Sequence, residues 1–305
     1  MFFRRTLLQE IQRLDPEKDD QRIVFLSWYH EFPWDSHKAL EFALFRTYAV
    51  PSISGLLAST GEFLARTQQR YDDTELLIAE FVENGYDSEQ GRRAIRRMNQ
   101  LHGRFRISNE DYLYVLSTFV FEPRRWINRF GWRPYSEHEQ LATYHFWRKV
   151  GRMMNIRDIP STYEAFERFN LDYERDHFRY SESNHLVGAA TRDLFLSWYL
   201  PKPLQRFGYP AVHALMDEPL REAFGFPKPP EALGRTLEGV LRARSRVLRH
   251  LPERKHPKRI TTAPHHTYPN GYEIEQLGPP GTQRPQRTDE DKGHAPPAER
   301  DPNKE

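Results

Sequence analysis

Four times in this chain a small capping residue is followed three places on by an acid or an amide: Asp87-Ser-Glu-Gln90, Ser108-Asn-Glu-Asp111, Ser136-Glu-His-Glu139 and Ser161-Thr-Tyr-Glu164. A side-chain oxygen at the first of these positions satisfies an orphan N–H of a helix start, and the residue three places on can reciprocate. A chain punctuated in this way is committed to helices. The segments that follow agree, running to about Phe105, about Phe130, Met154 and Phe178, and strand alternation is nearly absent. An apolar stretch from Leu186 to Leu200 stops at Pro201. Leu233, Leu237, Val240, Leu241, Val247 and Leu248 fall at helical spacing and predict a last helix over Glu231 to Leu251. Pro123 either kinks the helix expected over 109–130 or begins a second one. No internal repeat is present, and the expected fold is all-α with one large domain.

Composition sets the limits of that domain. Residues 252–305 hold ten prolines and many charges, with Tyr268 and Tyr272 as their only aromatics. Such a segment offers little apolar area against its ordering entropy. The reading is therefore a helical domain over 1–253 and a disordered tail over 254–305, with His265 and His266 incidental. The net charge of +2, with acids and bases interspersed, argues against a nucleic-acid surface. The absence of cysteine removes disulfides, Cys-ligated zinc, iron–sulfur clusters, thiolate-ligated haem and covalent haem attachment. Any metal must be held by His, carboxylate or Tyr.

No window approaches a membrane span, and MFFRRTLLQEIQRL lacks the apolar run and cleavage site of a signal peptide. The expected location is cytoplasmic. Phe3, Leu7, Leu8, Ile11 and Leu14 share a helical stripe, which either docks on the domain or makes peripheral contact with a membrane. Nothing in the sequence indicates an obligate protein partner. G-x-S-x-G, P-loop, H-E-x-x-H and G-x-G-x-x-G patterns are all missing.

Chemistry enters with His102. Ala94, Ile95, Met98, Leu101 and Phe105 trace one helical face, His102 falls among them, and Arg92, Arg93, Arg96, Arg97 and Arg104 occupy the rest. His102 is thus expected to point inward, as a hydrogen-bonded core residue or as a ligand. One segment earlier Tyr71, Thr74, Leu77, Ile78 and Phe81 share a face, with Arg70 one turn before Thr74. An inward Arg needs an anion. Asp72, Asp73 or Glu75 could provide it, and so could a haem propionate.

A second metal reading rests on Glu174-Arg-Asp-His177 and Glu182-Ser-Asn-His185. Carboxylate-bridged di-iron sites use two such strings on facing helices. On one continuous helix these two would stand about 12 Å apart and be rotated by about 80°, so a break near Ser181–Ser183 is required. Solvent-exposed charged faces explain both strings more simply.

The run Arg70-Tyr-Asp-Asp-Thr74, followed after about 28 residues by Met98-Asn-Gln-Leu-His102-Gly-Arg-Phe105, resembles the MpaB-type oxygenases, which share a domain with the rubber oxygenases called latex clearing proteins. LEFALFRTYAVPSIS, YLYVLSTFVFEPRRW and WRKVGRMMNIRDIP are also similar to that family, and the resemblance covers roughly residues 10–250. It implies a globin-like helical core around non-covalent haem b, with His102 as proximal iron ligand and Arg70 and Thr74 lining the haem pocket. It implies an oxidoreductase that uses dioxygen on a hydrophobic, unsaturated, isoprenoid- or lipid-like substrate, with cleavage of carbon–carbon double bonds as the family's reaction. Where rubber oxygenases place a second-ligand Lys before the Thr, this chain has Asp73, and no position for their distal Glu is identified. The non-catalytic alternatives are a helical haem- or lipid-binding protein and a plain helical scaffold.

Overall fold

A computed structural model describes residues 6–282. Among these, fourteen α-helices and no strand are found: α1 (Thr6–Arg13), α2 (Asp20–Phe25), α3 (Pro33–Thr47), α4 (Pro51–Ser59), α5 (Glu62–Ala65), α6 (Thr67–Asn84), α7 (Glu89–His102), α8 (Asn109–Phe130), α9 (Glu137–Met153), α10 (Tyr163–His177), α11 (Glu182–Ser197), α12 (Gln205–Leu215), α13 (Glu218–Ala223) and α14 (Glu231–Leu248). The expected starts lie within one residue of the observed caps. Ser88, Ser108, Ser136 and Thr162 each accept a backbone N–H, and Ser136 with Glu139 forms a complete capping box. Pro123 sits inside a single α8 rather than opening a second helix.

The central core is built by α6, α7, α8 and α9, through Leu76, Phe81, Ile95, Leu116, Val120, Phe146 and Trp147. A buried ionic cluster ties α3 to α8 and α10. Arg46 Nε donates to Glu174 Oε1 at 2.8 Å, and Tyr114 donates to the same oxygen at 3.1 Å. The N-terminal stripe docks inward, with Ile11 buried and Leu7 and Leu14 packed beside Ile23, Leu26 and Ala142; Phe3 lies outside the described residues. No helix among the described residues is long and apolar enough to cross a membrane.

Two positions make the α6–α7 hairpin that carries the site. Gly85 ends α6 at φ +92°, where a side chain would be strained. Gly91 lets α7 start against it, since a Cβ there would lie 2.0 Å from the Gly85 carbonyl oxygen.

The C-terminal segment departs from its compositional reading. Residues 283–305 lie outside the described residues, but the part from 254 to 282 is packed on α6 and α7 instead of being disordered. Ile274 is 5% exposed and Leu277 is fully buried. Four carboxylates of α6 are buried beneath this segment, and each receives a donor from it. Thr267 N–H donates to Asp72 at 3.0 Å, Tyr268 to Asp73 at 2.5 Å, Tyr272 to Glu80 at 2.6 Å and Thr261 to Glu83 at 2.6 Å. Burial still pushes the Asp73 and Glu83 carboxyls above the usual range. Two tyrosines, two aliphatic anchors and these hydrogen bonds offset the ordering entropy that composition alone left unmatched. The same segment covers Arg97, which the helical pattern turned outward. Arg97 is 5% exposed and donates to the Leu277 carbonyl at 2.8 Å, while Arg93 pairs with Glu275 at 2.7 Å.

Candidate active site

Hairpin geometry brings Arg70 and His102 to the same end of the α6–α7 pair. Arg70 lies 14 residues before the end of α6, and His102 lies 13 residues after the start of α7. At about 1.5 Å per residue both are roughly 20 Å from the shared turn, on antiparallel helices. The Arg70 cation lies near enough to disfavour the protonated form of the His102 ring.

His102 closes α7, and its ring packs edge-on to Tyr112 at 5.6 Å between centroids. Its Nδ1 is buried and has no hydrogen-bond partner. Burial, and secondarily the Arg70 charge, lower its pKa to about 4, so the imidazole is neutral at pH 7 with a lone pair available. A core histidine normally hydrogen-bonds, because a buried unsatisfied nitrogen costs about 1–3 kcal/mol. This one does not, which suits a nitrogen reserved for a ligand. Phe105, expected on the same inward face, is 42% exposed because the helix has already ended.

Arg70 donates to Thr74 Oγ1, and Thr74 donates back to the Arg70 carbonyl at 2.9 Å, so Thr74 orders the guanidinium. The guanidinium also stands over the Phe63 ring at 5.7 Å. Asp72, Asp73 and Glu75, the carboxylates that could have neutralised it, are engaged elsewhere: the first two by Thr267 and Tyr268, the third by His37 at 3.0 Å. Among the described residues Arg70 has no ion pair within 4.0 Å. A neutral imidazole and, near it, a half-buried guanidinium without an ion pair among the described residues are donor types that could take a metal and an anionic group respectively.

Two other histidines on the helices around the core, His177 and His145, have polar neighbours. His177 Nδ1 meets the Tyr173 carbonyl at 2.9 Å, and His145 lies 3.8 Å from Glu17. The chain does break between α10 and α11, but the di-iron set does not assemble. Glu174 is spent on Arg46, Glu182 accepts from Tyr180 at 3.0 Å, and His185 Nδ1 meets the Phe224 carbonyl at 2.8 Å. Sequence reasoning missed a different group, formed by Asp72, Glu75 and His265, because its third member comes from the segment read as disordered.

Comparison with known proteins bears on these residues. Residues 43–249 match the domain family described as "ER-bound oxygenase mpaB/B'/Rubber oxygenase, catalytic domain". The chain is 32% identical over 239 residues to the ER-bound oxygenase mpaB' of Penicillium brevicompactum, covering 72% of this chain and 56% of that protein. It is 33% identical over 211 residues to the ER-bound oxygenase mpaB of Penicillium roqueforti (strain FM164), covering 63% of this chain and 70% of that one. A third relative, the mpaB of Penicillium brevicompactum, is 37% identical over 145 residues, 37% of its length. The chain thus spans little more than half of the mpaB' protein. Arg70, Thr74 and His102 fall inside the matched region, and His265 falls beyond it.

Proposed function

This chain belongs to the family of the mpaB/B' oxygenases and rubber oxygenase, and on that premise we propose that it is a haem b-dependent oxygenase acting with dioxygen on an apolar, unsaturated, isoprenoid- or lipid-like substrate, by oxidative cleavage of a carbon–carbon double bond. The observation that carries this reading is the neutral His102 ring with its unpartnered buried nitrogen, set near an Arg70 that has no ion pair within 4.0 Å among the described residues. His102 would hold the iron, Arg70 a propionate, and Thr74 the orientation of Arg70. When bound, haem supplies the redox chemistry with dioxygen. The chain keeps the imidazole unprotonated by burial and by the adjacent cation, and Tyr112 packs against the ring. Asp73, at the place of the second-ligand Lys of rubber oxygenases, is held by Tyr268, so this chain offers no lysine there.

The relatives' names describe them as ER-bound, which supports association with a membrane surface. The docked α1 leaves little apolar face for it. Tyr199, Leu204 and Phe207 are 67%, 47% and 68% exposed, and they stand among exposed Lys202 and Arg206. That combination suits an anionic lipid interface.

Protein purified from haem-sufficient cells should show a Soret band, and its haem should extract into acidified organic solvent. With a polyisoprene oligomer it should consume dioxygen and yield carbonyl products. Colourless protein free of iron after haem reconstitution would sink the proposal. A Soret band without turnover would leave a haem-binding protein.

A further inference from the structure

A different side of α6 carries a second constellation. At 100° per residue Arg70 and Thr74 lie within about 40° of each other, whereas Asp72 and Glu75 centre roughly 150° further round the helix. A cavity of about 260 Å³ opens there, between α6, the start of α3 and the C-terminal segment. Trp28, Trp34 and Trp198 wall it, together with Asp72, Glu75 and His265.

One oxygen of Asp72, one of Glu75 and a ring nitrogen of His265 all lie within 4.8 Å of one another. His265 Nε2 meets the Ile260 carbonyl at 3.0 Å. A carbonyl only accepts, so Nε2 bears the proton, and in the neutral ring Nδ1 presents a lone pair. That lone pair faces Glu75 Oε2 at 3.8 Å. Two acceptors opposed at this separation leave room for a cation bonded to each at about 2.1 Å.

All three groups are braced from behind. Glu75 Oε1 is held by His37 at 3.0 Å and by Tyr71 OH at 3.3 Å. Asp72 accepts from Gln68 Nε2 at 2.8 Å and from both the N–H and the hydroxyl of Thr267. The His265 side chain is 9% exposed and Asp72 is 2% exposed. Metal-ligating side chains need outer partners that orient them, and these three groups have them. Glu75 shares the His37 ring with Glu41, which lies 3.0 Å from it.

We propose that Asp72, Glu75 and His265 bind one divalent transition-metal ion, with Zn²⁺ the best matched to mixed carboxylate and imidazole donors, and with open coordination positions toward the aromatic cavity. The site uses none of Arg70, Thr74 and His102, so it stands or falls independently of the haem reading.

The experiment uses the full, tag-free chain, stripped with chelator and titrated with Zn²⁺ by calorimetry, with metal counted after dialysis. Wild-type protein should hold one Zn²⁺ per chain. His265→Gln and Glu75→Gln should each weaken binding by more than about 100-fold, and Thr267→Val, which removes one brace, by about 10- to 100-fold. His266→Ala and His102→Leu should bind as wild type. Zn²⁺ should also protect the trypsin sites at Lys258 and Arg259 in wild type but not in His265→Gln. Circular dichroism checks each variant's helical content, and should His265→Gln fail to fold, Thr267→Val decides. No stoichiometric Zn²⁺ in wild type, or wild-type affinity in His265→Gln, would overturn the site and leave His265 and Glu75 a simple ion pair.

Discussion

Replacing His102 by Leu separates a ligand from a core residue in one variant. In the haem-free protein the buried, unpartnered Nδ1 is a liability. An unsatisfied buried donor or acceptor costs about 1–3 kcal/mol, and an apolar side chain of similar shape does not carry that cost. Because the His102 ring is only half-buried, the lower end applies, and haem-free His102→Leu should be more stable than wild type by about 1 kcal/mol. For a domain of this size that raises Tm by roughly 2–4 °C. The same variant should lose the Soret band on reconstitution, since Leu cannot coordinate iron. Calorimetry of both haem-free proteins, with haem titration beside it, reads the two effects separately. A haem-free variant less stable than wild type would show that the imidazole is satisfied in the folded state. A Soret band of wild-type shape and intensity would place the ligand elsewhere. Either result refutes the reasoning that joins the orphaned nitrogen to the iron.

Arg70→Met should weaken haem binding by about 10- to 100-fold, the worth of a charge-assisted hydrogen bond; an unchanged titration would show that no haem carboxylate meets Arg70. Leu277→Ala, at a fully buried position, should weaken docking of the C-terminal segment by about 2–5 kcal/mol. Faster amide exchange across 254–282 would register it, and exchange as slow as in wild type would show that the segment does not rest on this anchor. Acidification should act through His102. Its folded pKa of about 4 lies below the ordinary 6.5, so the unfolded chain takes the proton first as pH falls. The neutral ring's contribution to stability is therefore complete above 6.5 and lost toward 4, so the Tm of the haem-free protein should fall more steeply between pH 6.5 and 4 than that of His102→Leu. Equal slopes in the two proteins would show the imidazole to be freely solvated.

The capping residues and the apolar spacing made the helices legible, because both signals are local: a cap acts within one turn, and a face repeats every 3.6 residues. Arg70 and His102 were joined in the sequence only by the family resemblance. One short turn at Gly85 folds two helical runs of matched length back on each other, so distance along the chain becomes proximity in space. The sequence could not show the fate of Asp72, Asp73, Glu80 and Glu83. Acids on a helix read as a solvated face, and these are buried only because a segment about 180–195 residues away lies over them with its own N–H and O–H groups. Composition counted that segment's few apolar side chains but not the unsatisfied carboxylates awaiting its donors. The same distance hid Arg97, and it hid the approach of His265 to Glu75. The two E-x-x-H strings failed in the opposite sense. Their spacing was suggestive, but Glu174 was claimed by Arg46, 128 residues away. Periodicity assigns a side chain to a face of its helix, and only the tertiary structure decides what covers that face and which buried charge finds which partner.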